Sequence, residues 1–233
     1  MILQKAFVAL FLYTLLFQFQ IFGCNAEFTK EPVPEHILNL MIGKSLPTGV
    51  EWPVQPTDLS YLTITYWGYD DQFHMGHMIV HVKVAQEVLD VFKELLEKKF
   101  PIERVELIDL YDANDDRSME ANNSSAFCCR AITDRPGTFS KHSFGVAVDI
   151  NPLINPYVKW NALKSKWIVY PEGGRRFVDL PANGNVFPVR TESYRGIIIK
   201  NNPCCTAFEK RGWEWGGDWS SLKDYQHFEK KLT

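Results

Sequence analysis

Three residues in this chain are of the types that a divalent transition metal binds, and a fourth could move a proton beside it. His142 and Asp149 stand seven residues apart in "SKHSFGVAVDINP" (Ser140 to Pro152), with a glycine and small apolar residues between them. His227 stands in "KDYQHFE", and Asp224 precedes it by three residues. Two imidazoles and a carboxylate make a zinc donor set that leaves the fourth tetrahedral position for water. A carboxylate three residues from one ligand can lie beside the metal without binding it, where it can take a proton from that water. The run Val146-Ala147-Val148 is core-like. Polar groups on such a segment suggest something is being held there, with Gly145 letting the backbone pass close and Ala147 leaving space.

The elements that must position these groups read as follows. Residues 27–60 are rich in proline and predict an extended lead-in with one short helix, "PEHILNLMIGK". In "YLTITYWGYD" the alternation of Leu62, Ile64 and Tyr66 predicts a strand, and "HMIVHV" a second. In "KVAQEVLDVFKELLEKKF", Val84, Val88, Val91, Phe92 and Leu95 fall on one face at the 3.6-residue period, which predicts a helix stopped by Pro101. "IERVELIDLY" alternates like a strand, and "YDANDDRSMEANNSSAF" is polar and rich in turn formers, as in a long loop. "NNPCCTAFEKRG" carries helix punctuation: Asn202 to cap it, Pro203 at its first position and Gly212 at its end. A "WEW" strand and a "GGDW" turn lead into the last motif. The absence of a repeating βαβ rhythm favours a single α+β domain, with a mainly antiparallel sheet flanked by helices.

A chain of 233 residues is long enough for one well-buried domain. Its formal charge is −3 with Lys and Arg scattered, and the missing basic stripe argues against nucleic acid. "MILQK" followed by "AFVALFLYTLLF" has the charge and length of a signal peptide, assigned to residues 1–26. Either Cys24-Asn25-Ala26 is a cleavage site, or Ile21 to Cys24 is a loose lipobox that would lipidate Cys24. An uncleaved segment is the remaining membrane attachment. The expectation is export to the periplasm or cell envelope, as a monomer. In an oxidising compartment the pairs Cys128-Cys129 and Cys204-Cys205 read first as disulfides from one pair to the other. A four-thiolate zinc site is the rival, although its cysteines would normally be spaced.

The flanking words carry a resemblance. "S-K-H-S-F-G-V-A-V-D-I-N-P" resembles the S-x-H-x-x-G-x-A-x-D signature of the M15 zinc peptidases, the D-alanyl-D-alanine carboxypeptidase group. "GWEWGGDW...KDYQHFE" is similar to the second half of that signature in the VanY-like branch, as are "SMEANNSSAFCCR", "FPIERVELID" and "NPLINPYV". The resemblance runs from about Tyr66 to Glu229, within a peptidase domain placed at residues 61–233. It implies the fold shared by these metallopeptidases and hedgehog-like proteins, and one zinc ion held by His142, Asp149 and His227. It makes Asp224 the general base, and Arg130 the arginine that steadies substrate and developing oxyanion, a task for which a guanidinium is suited. Ser140 is assigned to substrate or to support of the metal loop, and Trp215 to the cleft wall or the core. Relatives usually lack a cysteine pair before this arginine. A bridge to the "NPCC" helix would pin its loop. The implied activity is hydrolysis of peptidoglycan stem peptides by removal of a terminal D-alanine. The alternatives are L-alanyl-D-glutamate endopeptidase, D,D-dipeptidase, or a non-catalytic wall-binding module.

Other groups read more plainly. His74, His77 and His81 in "HMGHMIVH" lie on a strand, too spread for a compact site, and are expected at the surface or core edge. Asp112, Asp115 and Asp116 lack the EF-hand register and its closing glutamate.

Overall fold

Strand β2 (Leu59–Trp67) is buried along most of its length, so its alternation sorts residues between two apolar cores. Leu62, Ile64 and Tyr66 enter the larger core, while Leu59 and Tyr61 face the smaller one. β2 is the centre of an antiparallel sheet, with β1 (Phe28–Pro32) on one side and β3 (Phe73–His81) on the other. Helix α2 (Ala85–Glu97) packs on this sheet with Val88, Val91, Phe92 and Leu95 inside, as its period predicts. Each such side chain contributes about 1.5–3 kcal/mol of burial. Helix α1 (Glu35–Met41) contributes Ile37 and Met41 to the smaller core. The computed structural model describes residues 26–132, 135–188, 190 and 193–232. The signal-peptide and lipobox readings fall on residues outside these, apart from Ala26.

The remaining strands form small sheets. β4 (Arg104–Val105) pairs in parallel with β5 (Asn123–Ser124), and β6 (Ala131–Ile132) pairs with β7 (Arg135–Phe139). β8 (Ala147–Asp149) is the edge of one three-stranded sheet, and β9 (Tyr157–Asn161) is central in another beside β10 (Lys166–Tyr170). After α4 (Pro203–Glu209), β11 (Glu214–Trp215) and β13 (His227–Glu229) complete the β8 sheet, while β12 (Lys223–Asp224) joins β9. The domain is α+β, with mainly antiparallel pairing spread over several small sheets rather than one large one.

Two local expectations change. "IERVELIDLY" is a strand only at β4. Ile108–Tyr111 instead forms a 3-10 turn, because buried Asp109 accepts the Ser45 N–H at 3.1 Å and so draws the segment inward. The polar stretch expected as loop contains helix α3 (Asp115–Glu120). Asn114 caps it by accepting the Arg117 N–H at 2.9 Å, and Asp115 and Asp116 suit its first turn. Helix α4 has the predicted punctuation: Asn202 accepts from Cys205 N, and Gly212 beyond the end has φ +77°.

The expected disulfides are not formed: Cys128, Cys129, Cys204 and Cys205 are all free and buried. The physical reason is placement, since Cys129 packs in the smaller core while Cys204 and Cys205 pack in the larger. Burial pushes the Cys128 and Cys205 thiols up to about 12, which makes them poor nucleophiles. Hydrogen bonds do the pinning instead. Arg130 N donates to Ser143 Oγ at 2.9 Å, Ser143 Oγ donates to Arg130 O at 2.8 Å, and Cys129 N donates to Ser45 O at 2.9 Å.

Candidate metal centre and cleft

His142 sits in a 3-10 turn, Lys141–Phe144, whose cap Ser140 accepts the His142 N–H with its side chain at 3.3 Å. The turn ends at Gly145 in the left-handed region, φ +66°. A Cβ there would lie 2.6 Å from His81 N, a backbone atom that cannot step aside, so glycine is required twice over. The chain then enters β8, which carries Asp149. β13 runs antiparallel beside it in the register that sets His227 opposite Asp149. Directly opposed residues share a face of the sheet with Cβ atoms about 4.5–5.5 Å apart.

The three side chains therefore converge. His142 Nε2 lies 3.2 Å from Asp149 Oδ2, His227 Nδ1 lies 3.0 Å from Asp149 Oδ1, and the two ring nitrogens are 3.2 Å apart. All three residues are buried, and this is the one His/Asp/Glu/Cys group among the described residues whose atoms could hold a metal ion. Outer partners fix both rings. His142 Nδ1–H donates to Ala126 O at 2.5 Å, and His227 Nε2–H donates to Glu229 Oε2 at 3.2 Å. Each imidazole thus turns its other nitrogen toward the common point, which is how metal-binding histidines are oriented. Glu229 closes the "KDYQHFE" motif with no role assigned to it in the sequence, and its place two residues after His227 in a strand puts it on the same face. Glu229→Gln is expected to weaken metal binding at this group about 10- to 100-fold in a chelator competition. Unchanged affinity would mean that Glu229 has no hold on the ring.

Electrostatics separate the two aspartates. Burial raises the Asp149 carboxyl, but the His142 and His227 imidazoles outweigh it and hold the group well below the usual carboxylate range. Burial pushes Asp224 up to about 6, and the Asp149 charge adds to this against the pull of His227. One carboxylate is kept as a ligand and the other is poised near neutrality, a division typical of acid/base sites. For His227 burial lowers the pKa, but hydrogen bonds to Asp149 and Glu229 overcome it and push it up to about 10.

Asp224 is on β12, held against β9 opposite Tyr157. Gly216 lets the chain come in behind it, since a Cβ there would lie 2.6 Å from Asp224 O. Asp224 Oδ1 is buried with no hydrogen-bond partner among the described residues. A buried acceptor without a donor is costly, and a water held beside the three convergent ligands would satisfy it. On this observation and the donor chemistry, the residues present fit a zinc ion with an open position.

The cleft in front of this group has a volume of about 800 Å³ and is lined by His142, Asp149, Asp224 and His227 together with Ser140 and Arg130. Arg130 enters from the segment just before β6, and its Nη2 lies 2.7 Å from Asp115 Oδ2. Trp215, one of whose two expected places is the cleft wall, does not line it. Its side chain is buried in the larger core and donates from Nε1 to Tyr225 O at 3.0 Å, bracing the Asp224-to-Gln226 segment from behind. Trp219 takes the wall position, its ring 5.4 Å from that of His227. Away from the cleft, His74 pairs with Asp70 at the surface at 2.9 Å, His77 stacks on Tyr61, and His81 is buried with Nδ1 accepting from Lys83 N. Asp112 pairs with Lys44 and Arg117.

No solved structure matches the chain. Residues 133–230 match the family model described as D-alanyl-D-alanine carboxypeptidase. The matched segment carries His142, Asp149, Asp224 and His227, whereas Arg130 lies just before it and Asp115 farther upstream. The match supports a peptidase and, with the His-Asp-His group that could bind a metal, the M15 peptidase family for this chain.

Proposed function

We propose that the protein is an exported, zinc-dependent peptidase that hydrolyses peptidoglycan stem peptides at the cell envelope, removing a terminal D-alanine. The observation that carries this reading is the convergence of His142, Asp149 and His227 beside a buried, unpartnered Asp224 carboxylate oxygen in an open cleft. A zinc ion held by the three ligands would supply Lewis acidity, polarising the scissile carbonyl and acidifying a water molecule. Asp224 accepts the proton from the attacking water and returns it to the leaving amine, for which a carboxyl raised to about 6 is suited. Arg130, held at the cleft edge, offers a permanent positive charge to the developing oxyanion or to a substrate carboxylate. Ser140 acts indirectly through the His142 turn that it caps. The N-terminal sequence of signal-peptide character supports export, and the open cleft is of a size to take a short peptide.

The test is to incubate the zinc-loaded chain from Glu27 onward with a pentapeptide stem ending in D-Ala-D-Ala, following products by mass spectrometry. Loss of a single alanine is expected. Cleavage at an internal bond, or release of the dipeptide, would keep a peptidase and change the bond it cuts. Stoichiometric zinc with every stem peptide left intact would favour a wall-binding module.

A further inference from the structure

Arg130 is held at both ends, and only one of the holds comes from the metal loop. Its backbone N donates to Ser143 Oγ, and its carbonyl accepts from Ser140 N at 3.0 Å, so its main chain is tied to the turn carrying His142. Its tip is held from elsewhere. Asp115, the first residue of α3, takes Nη2 at 2.7 Å, with both side chains about three-quarters buried (26% and 28% exposed). Nε on the same guanidinium is buried and has no partner among the described residues. One edge of the guanidinium is occupied and part of the rest is not, beside a cleft that both residues line. The group also feels the charges of Asp149 and Asp224, which places it in the field of the metal centre.

We propose that Asp115 is a positioning residue for Arg130, fixing the guanidinium through one edge so that its remaining donors meet the substrate at the candidate metal centre. An unrestrained arginine samples many rotamers, and one anchored by a carboxylate keeps its planar fork pre-oriented. Asp115 suits the role because it is short and because α3 is itself fixed by the Asn114 cap. The effect on catalysis rests on the peptidase reading above. The hold on Arg130 does not, and the two are tested separately.

Stem-peptide hydrolysis is measured for Asp115→Asn, Asp115→Ala, Arg130→Ala and the double variant Asp115→Ala/Arg130→Ala, with zinc content and thermal melting alongside. Each Asp115 variant is expected to lower kcat/KM about 10- to 100-fold, the range for a charge-assisted hydrogen bond. In the Arg130→Ala background the Asp115→Ala change is expected to have no further effect, since the interaction is already gone. Independent losses that multiply in the double variant, or full activity in Asp115→Ala, overturn the proposal. A second arm needs no substrate. In ¹⁵N NMR of the guanidinium, assigned by an Arg130→Lys difference, the two Nη signals are expected to be resolved in the wild type and to merge in Asp115→Ala. A guanidinium equally restrained without Asp115 overturns the proposal. Should the wild type cleave no stem peptide, the peptidase reading falls, and the NMR arm alone decides whether Asp115 orients Arg130.

Discussion

Asp224→Asn is expected to reduce stem-peptide hydrolysis by about 10²- to 10⁴-fold, the usual contribution of a positioned acid/base group, while zinc content stays at the wild-type level. Asparagine keeps the size of the side chain but can neither accept the proton nor return it. Because Asp224 is not one of the three convergent ligands, metal loading separates this outcome from collapse of the site. The sign of the pH dependence follows from its environment. Burial raises its carboxyl to about 6, and a base works only when deprotonated, so kcat/KM falls as pH drops through this group's pKa. A bound dication would favour the charged form and move the limb lower. An acid limb at or below about 6 is therefore expected in the wild type, absent from whatever activity Asp224→Asn retains. A variant that hydrolyses normally would remove Asp224 from the mechanism.

Removing a convergent ligand or the metal should have an effect at least as large. His142→Ala, Asp149→Ala and His227→Ala are each expected to abolish stoichiometric zinc binding and hydrolysis together, and a chelator should do the same to the wild type. The metal is also expected to stabilise the fold. At 100-fold above its dissociation constant, a ligand specific for the native state contributes about 2.7 kcal/mol, which for a chain of this size raises Tm by about 5–10 °C. Binding should depend on pH in a definite direction. In the metal-free protein His227 is pushed up to about 10 by its two carboxylate neighbours, despite the opposing effect of burial. It therefore carries a proton at neutral pH that the metal must displace. About one proton should be released per zinc ion, detectable by titration calorimetry in buffers of different ionisation enthalpy, and affinity should weaken as pH falls. Full zinc occupancy in Asp149→Ala would overturn the ligand assignment.

Part of this site is legible in the residue types alone. His142 and Asp149 stand out as polar types on a core-like segment, while His227 is tied to them by the resemblance of its flanking residues to the peptidase signature. Helix α2 is legible because its apolar residues recur at the helical period, and α4 because Asn202, Pro203 and Gly212 punctuate it. The reasons for the failures are equally specific. The cysteine pairs read as a cross-link because pairing depends on distance, which adjacent thiols in a sequence do not report. Helix α3 is hidden because Asn114, Asp115 and Asp116 are both turn formers and good helix starters. Trp215 and Trp219 are equivalent on paper, and only the packing of Gly217 against the Trp215 ring, together with burial in the larger core, shows which one faces inward.

The sequence by itself determined the donor types, the tight glycine turn that lets His142 precede β8, and the α+β class. Those follow from side-chain chemistry, local sterics and periodicity, all of which act within a few residues. Only the tertiary structure decided the register that sets His227 opposite Asp149 across 78 residues. It alone brought Asp115 to the tip of Arg130. These contacts depend on how separate strands and a short helix pack, and their free energy comes from burial and long-range hydrogen bonds that no local pattern encodes.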